Sequence, residues 1–296
     1  MKIALFVNLR PNGRRVGPAV RSILDRLSAS GVRVDLFATR HLAQLAEVLS
    51  RLRPERFDGI GCAGGDGTHY HLLNGLGRRY GFDTLPPLAI FPLGRGNSFA
   101  RDLNLCSAED AVTALLNGTT RPVDLCRFSC NGSEAFFANL MGVGFVTDVA
   151  ATAARFARAG DLSYVIGVFH RLASLRPFRL ELRIDGNCID GRFCFVEFCN
   201  SRYTGGSMLM APGARIDDGL FDVILAGAMT PFQLACSFPL IYRGAHLSHP
   251  AVQVVRAKTA RIAGPKSLGL LPDGELFGST PADIEVVPRC VRYFTR

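Results

Sequence analysis

Cysteine at paired spacing, long apolar runs and lysine are all scarce in this sequence, and each scarcity narrows what the chain can be. The nine cysteines are odd in number, show no CxxC spacing and are scattered through expected strands and helices. That pattern fits reduced, buried thiols and argues against a disulfide framework or a zinc site. The longest uncharged stretch, residues 223–242, contains Thr230, Pro231, Gln233, Ser237 and Pro239. Two prolines break any single helix of the roughly 20 residues a bilayer requires. A strand, a turn at Met229-Thr230-Pro231 and a short apolar helix are expected there instead. Residues 1–7 are too short, and are followed too soon by Asn8, Arg10 and Pro11, to read as a signal peptide. The expected location is therefore the cytoplasm. Lysine occurs only at positions 2, 258 and 266, although 34 basic residues face 25 acidic ones for a net charge of +9. The basic side is almost entirely arginine, which suits bidentate phosphate contacts. No aromatic–basic interleaving, zinc-finger spacing or helix-turn-helix pattern accompanies that charge, so no nucleic-acid partner is expected. Internal repeats and low-complexity segments are absent as well.

What is present begins with Gly64-Gly65-Asp66-Gly67-Thr68. The apolar run before it reads as a buried strand and the run after it as a helix start. Such a loop aims backbone amides and a helix N-terminus at an anion; a tight turn with no ligand is the alternative. Asp66 is out of place beside a phosphate unless a cation or a proton transfer involves it. A second strand, residues 88–91, runs into Pro92-Leu93-Gly94-Arg95-Gly96-Asn97-Ser98. Two glycine-rich loops at the carboxyl ends of neighbouring parallel strands line one crevice, where nucleotides bind in open α/β sheets.

Upstream of Asp124, residues 2–7, 32–37, 59–63 and 88–91 read as parallel strands, and residues 18–30, 42–52 and 68–80 show helical spacing. Downstream, residues 178–184, 192–200, 220–225, 252–262 and 284–287 are short, alternating and rich in Val, Ile and Phe, as in an antiparallel sandwich. The expected organisation is an α/β nucleotide domain over 1–124 and a β-rich domain over 125–296, whose last few residues pack back on the first.

The GGDGT stretch with the PLGxGNxFAR pattern resembles the catalytic domain shared by diacylglycerol, sphingosine and ceramide kinases and their bacterial relatives. Val123-Asp124-Leu125, Phe137-Ala138-Asn139, Gly160-Asp161-Leu162, Gly205-Gly206, Asp217-Asp218-Gly219-Leu220, Gly244-Ala245-His246 and Asp273-Gly274-Glu275 extend the likeness over nearly the whole chain. The resemblance implies an N-terminal NAD-kinase/diacylglycerol-kinase-like α/β domain, a C-terminal β-sandwich lipid domain, and an active site in the cleft between them. It also implies a lipid kinase using ATP and Mg²⁺ to phosphorylate a primary hydroxyl of diacylglycerol or a related lipid. A sphingoid-base or ceramide kinase, an NAD kinase relative and a non-catalytic lipid-binding protein are the alternatives.

Carried over by resemblance, Gly64, Gly65, Gly67, Thr68, Gly94, Gly96 and Asn97 cradle the nucleotide, with Asn8, Thr39, His71 and Arg95 around it. Glu275 is the implied base, Asp273 lies near it, and Asp66 is the competing base. Asp66 and Asp124 would organise the Mg²⁺ that arrives with ATP. A structural Mg²⁺ or Ca²⁺ is implied at Asp218 and the carbonyls of Arg215 and Leu220. Departures from the family concentrate near the phosphates: Tyr70-His71 replaces Asn-Glu, Arg95 a small hydroxyl residue and Ser98 an aspartate, while the loop at residues 8–13 keeps Asn8 but moves its glycine. His69 and His71 read as a helix-face pair rather than zinc ligands. The lipid substrate would be presented by a membrane, with peripheral contact to an anionic surface through Arg155, Arg158, Arg171 and Arg176 interleaved with Phe156, Phe169 and Phe178, or those residues form a plain solvated face. A homodimer is compatible with the family and has no signature in the sequence.

Overall fold

Unbroken apolar runs at residues 3–7, 59–64 and 88–91 become strands buried on both faces, as parallel sheets require. A computed structural model describes residues 1–8, 16–39, 42–156, 162–264 and 267–296. The first loop beyond Asn8, the pair Gly160-Asp161 and Arg158 lie outside the described residues. The chain forms two units, one of residues 1–123 with 289–296 and the other of residues 124–288.

In the first unit, β1 (Lys2–Asn8), α1 (Gly17–Ala29), β2 (Arg33–Thr39), α2 (Leu42–Arg51), β3 (Gly59–Gly64), α3 (Asp66–Tyr80), β4 (Leu88–Pro92), α4 (Ser98–Asp102) and α5 (Ala108–Asn117) alternate. The strands pair in parallel in the order β2-β1-β3-β4. Tyr293, near the chain end, adds a parallel bridge to Leu88. Helix α1 starts with proline in its first turn and buries Val20, Ile23 and Leu27, an i, i+3, i+7 stripe. Helix α5 is fixed by a capping box of Ser107 and Asp110. The register levels the carboxyl ends of the sheet, pairing Asn8 with Thr39, Val7 with Ala63 and Gly64 with Pro92.

The second unit carries β5 (Thr120–Cys130), β6 (Ser133–Phe137), β7 (Leu140–Gly144), α6 (Phe145–Arg155), α7 (Leu162–Leu172), β8 (Phe178–Ile184), β9 (Asn187–Cys199), β10 (Tyr203–Thr204), β11 (Met208–Leu209), β12 (Phe221–Gly227), α8 (Pro231–Ser237), β13 (Val252–Ala257), β14 (Thr259–Ala263), β15 (Leu270–Pro272) and β16 (Ala282–Phe294). Strands β5 and β16 each run across the boundary between the units. The first half of β9 pairs with β8, which continues to β14 and β16; its second half lies between β12 and β7. All these pairings are antiparallel. Phe128, Phe137, Met141, Val196, Phe198, Phe221 and Ile262 fill the sandwich core. A second core lies beneath the helices, where Val149, Phe195, Met210 and Ile224 are buried.

Residues 252–262 form two strands where one was expected, because the Asp185 carboxylate accepts the backbone amides of Lys258 and Thr259 and turns the chain there. Five of the nine cysteines are buried, Cys106, Cys188 and Cys236 are exposed, and all nine are free. The reading of buried thiols is thus corrected for the exposed three. No helix among the described residues is long and apolar enough to cross a membrane.

Candidate active site

At the carboxyl edge of the parallel sheet the two glycine-rich loops meet through their backbones. Leu93 and Gly94 donate amides to the Gly64 carbonyl at 2.9 and 3.1 Å. A Cβ on Gly94 would lie 2.2 Å from the Gly65 Cα, so glycine is required there by the approach of one loop to the other. Asn97 holds the second loop closed: its side-chain oxygen accepts the Gly94 amide at 3.0 Å and its amide donates to the Gly94 carbonyl at 2.8 Å. Its own φ of 49° places it in the left-handed region that asparagine tolerates. Helix α3 begins at Asp66, two residues before the expected start, so Gly67 and Thr68 lie in its first turn, whose amides have no partner within the helix. Asn8 reaches the Thr68 hydroxyl at 3.5 Å, and the buried Thr39 hydroxyl donates to the Val7 carbonyl at 3.4 Å. Asn8, Thr39, Gly64, Gly65, Thr68, Gly94 and Asn97 therefore line one edge of one sheet, followed by Arg95 and Gly96 in the second loop.

Asp66 joins the two loops electrostatically. Its carboxylate accepts the amides of Ser98 at 2.9 Å and Phe99 at 3.4 Å. Burial raises its pKa, and those amides offset part of the rise. His69, on the same helix, is not on an open helix face: it is buried against Phe99, with Nε2 2.7 Å from the Tyr293 hydroxyl, and burial lowers its pKa to about 4. His71 is half-buried, its ring 5.2 Å from that of Tyr70. The contribution of Tyr293 was invisible in sequence because 224 residues separate it from His69.

In the second unit both carboxylate oxygens of Asp273 are engaged by backbone amides. Buried and at φ 47°, it accepts the amides of Ala138, Asn139 and Leu140 at 2.9–3.1 Å. Those bonds fix the turn that carries the half-buried Glu275, whose amide donates to the Pro272 carbonyl at 2.8 Å. Asp124 is fully buried, and its carboxylate accepts the Gly219 amide at 2.6 Å. Among the described residues no group of three or more His, Cys, Asp and Glu gathers to hold a metal ion.

At the turn where a structural cation is implied by Asp218, Arg215 and Leu220, the Asp218 carboxylate is engaged by groups of the protein itself. The Arg256 guanidinium pairs with the Asp218 carboxylate and approaches Asp222 at 3.3 Å, while the Leu220 amide donates to Asp218 at 3.1 Å. One guanidinium thus faces two carboxylates of the turn. Glu197 escaped sequence reading, and His246 was read there only as part of a motif. Glu197 lies inside the apolar strand β9 with one carboxyl oxygen unpartnered, and burial pushes its pKa up to about 8; a lone charge within Phe-Val-Glu-Phe-Cys was the available signal. His246 borders an apolar chamber walled by Phe145, Tyr164, Phe195, Met208 and Phe238, and its Nε2 lies 3.0 Å from the Met210 carbonyl. Phe178, expected on an outward basic face, instead packs into the sandwich core beside Gly144.

Comparison with known proteins gives a consistent picture. Residues 2–128 match the diacylglycerol kinase catalytic domain, and residues 140–295 match the YegS C-terminal NAD kinase beta sandwich-like domain. The chain is similar to a diacylglycerol kinase of Mycobacterium tuberculosis, 31% identical over 285 residues that span 93% of this chain and 88% of that one. It is also similar to a diacylglycerol kinase of Bacillus subtilis, 26% identical over 289 residues that span 96% and 93%. In fold it resembles a diacylglycerol kinase from Bacillus anthracis, with a TM-score of 0.76 and 20% identity over 100% of this chain and 97% of that one. More distantly it resembles an NAD kinase from Archaeoglobus fulgidus solved in complex with ATP, with a TM-score of 0.52 and 17% identity over 100% and 94%.

Proposed function

The chain belongs to the diacylglycerol kinase family and is a lipid kinase, and we propose that it transfers the γ-phosphoryl group of ATP to a primary hydroxyl of diacylglycerol or a closely related lipid. The observation that carries this reading is the backbone junction of Gly65 with Gly94 at the carboxyl edge of the sheet, beside the first-turn amides of α3, which have no partner within the helix. Preorganised amides of this kind stabilise phosphate charge at little reorganisation cost. Arg95, in the second loop, would add a cation to the phosphates.

Glu275 would accept the proton of the lipid hydroxyl as that oxygen attacks the γ-phosphorus; the phosphorus–oxygen bond to ADP breaks and ADP leaves with the electron pair. Asp273, saturated by three amides, holds the turn on which Glu275 sits. A Mg²⁺ ion brought by ATP would spread the triphosphate charge. Such an ion needs only one or two carboxylates from the protein, a demand that Asp66 can meet while its Ser98 and Phe99 bonds keep it in place.

The test is phosphate transfer by wild type and Glu275→Gln to diacylglycerol, a sphingoid base, ceramide and NAD⁺ dispersed with detergent. The expected result is phosphatidic acid as the product, with kcat reduced by about 10²–10⁴-fold in the variant and the ATP KM nearly unchanged. Equal activity of the two proteins would remove Glu275 from the mechanism, and NAD⁺ as the preferred acceptor would overturn the lipid reading.

A further inference from the structure

Helices α6, α7 and α8, with the single turn at Phe238–Arg243, cover the outer core of the second unit and wall its apolar chamber. Their outward side is apolar too. Phe232 is 78% exposed, Phe169 55%, Tyr242 45% and Leu240 43%, with Phe156 at 39% on the margin. Ring contacts link Phe169 and Tyr242 through Phe238. Phe169 meets Phe238 edge-on at 6.4 Å, Phe238 meets Tyr242 at 6.3 Å, and Phe156 lies 6.2 Å from His170. Phe238 also lines the chamber, so the exposed rings continue directly into its wall. A plain solvated face does not display four large apolar side chains together.

The charge on these elements is mostly basic. Arg155 and Arg243, the sequence neighbours of Phe156 and Tyr242, are exposed, as is Arg176 in the segment that follows α7, while the described residues of α6, α7, α8 and the following turn contain a single carboxylate, Asp148. A second copy of the chain stacked face to face would bring these arginines against their own kind. An anionic lipid surface neutralises them and gives the aromatic rings an interfacial layer in which to sit.

We infer that this face docks the protein on an anionic bilayer, with Phe169, Phe232, Leu240 and Tyr242 entering the headgroup–acyl boundary and Arg155, Arg176 and Arg243 meeting lipid phosphates. Docking sets the chamber directly behind the lipid-facing side chains. Arg171 is not part of the contact, since it is half-buried and donates to the Thr152 hydroxyl at 2.7 Å. The inference rests on the reading that the acceptor is a bilayer lipid, yet binding can be measured with no nucleotide present.

The experiment is flotation with vesicles of phosphatidylcholine alone or mixed with phosphatidylglycerol, at low and high salt. Wild type, the double variant Phe169→Asp/Phe232→Asp and Leu36→Asp would be compared; Leu36 is 45% exposed on β2 of the other unit. Wild type and Leu36→Asp are expected to float with the anionic vesicles and to detach at high salt. The double variant, with unchanged circular dichroism, should bind at least about tenfold more weakly, because two rings are withdrawn from the lipid and two like charges added. Arg155→Glu/Arg243→Glu should erase the preference for anionic vesicles. Unchanged binding by the double variant would overturn the inference, as would a wild-type dimer that the double variant dissociates while neither protein floats. Activity on detergent-dispersed diacylglycerol without vesicle binding would sink the docking surface and leave the kinase standing; vesicle binding without phosphate transfer would do the reverse.

Discussion

Asp66 illustrates how one side chain serves two loops. It begins α3 and at the same time holds the start of α4 through the amides of Ser98 and Phe99. Removing its charge by Asp66→Asn should therefore loosen the second loop as well as remove a ligand for nucleotide-borne Mg²⁺. The expected result is a rise in ATP KM together with a fall in kcat; a kcat loss with KM unchanged would confine Asp66 to the chemistry. Glu197 offers a test in the second unit. Its carboxyl has an ordinary value of 4.5 that burial pushes up to about 8. Between those values the native protein keeps a proton that the unfolded chain has released, so stability falls as pH rises through the window. Glu197→Gln should flatten that part of the stability–pH curve from urea unfolding. A wild-type slope in the variant would show that Glu197 is not the group responsible.

Among the elements, the loop junction and the Asp-Asp-Gly-Leu turn make opposite predictions about size and charge. Gly94→Ala places a Cβ against the Gly65 backbone, which cannot yield as a flexible side chain would. Thermal unfolding should show a loss of about 1–3 kcal/mol, and ATP affinity should fall with it. In the acidic turn, Arg256→Ala leaves the mostly buried Asp222 and the Asp218 carboxylate without their cation. Because the guanidinium is half-exposed, the cost should be about 1–2 kcal/mol. Chelator should leave the wild-type Tm unchanged, whereas added Mg²⁺ or Ca²⁺ should raise that of the variant. A chelator-sensitive wild type would support the structural cation.

Elements with local causes were legible in the sequence, and long-range bonds were not. Strand β8 occupies the residues expected from alternation alone, because each polar side chain there alternates with one buried in the sandwich. The parallel strands were equally plain, as unbroken apolar runs bounded by glycine loops. By contrast, the split of residues 252–262 depends on Asp185, some 73 positions away, and the role of Asp273 on amides some 133 to 135 positions away. Spacing rules see neither. The glycine loops could be named from sequence, but the reason that Gly94 must be glycine is a backbone approach to Gly65 that only the folded sheet creates.

For the whole molecule, the chain divides its chemistry between two units, and the chain order is interrupted only by residues 289–296, which belong with the first. The parallel sheet gathers the candidate phosphate-binding loops, while the sandwich carries Glu275 and the apolar chamber. A lipid kinase requires both. The measurement that tests this most directly is a transfer assay with wild-type protein, isotopically labelled ATP, Mg²⁺ and an equimolar mixture of diacylglycerol, ceramide, sphingoid base and NAD⁺, with products identified by mass spectrometry. The account predicts label in phosphatidic acid, dependent on Mg²⁺ and lost in Glu275→Gln. Label in the nicotinamide dinucleotide, or in none of the four acceptors while ATP still binds, would contradict it.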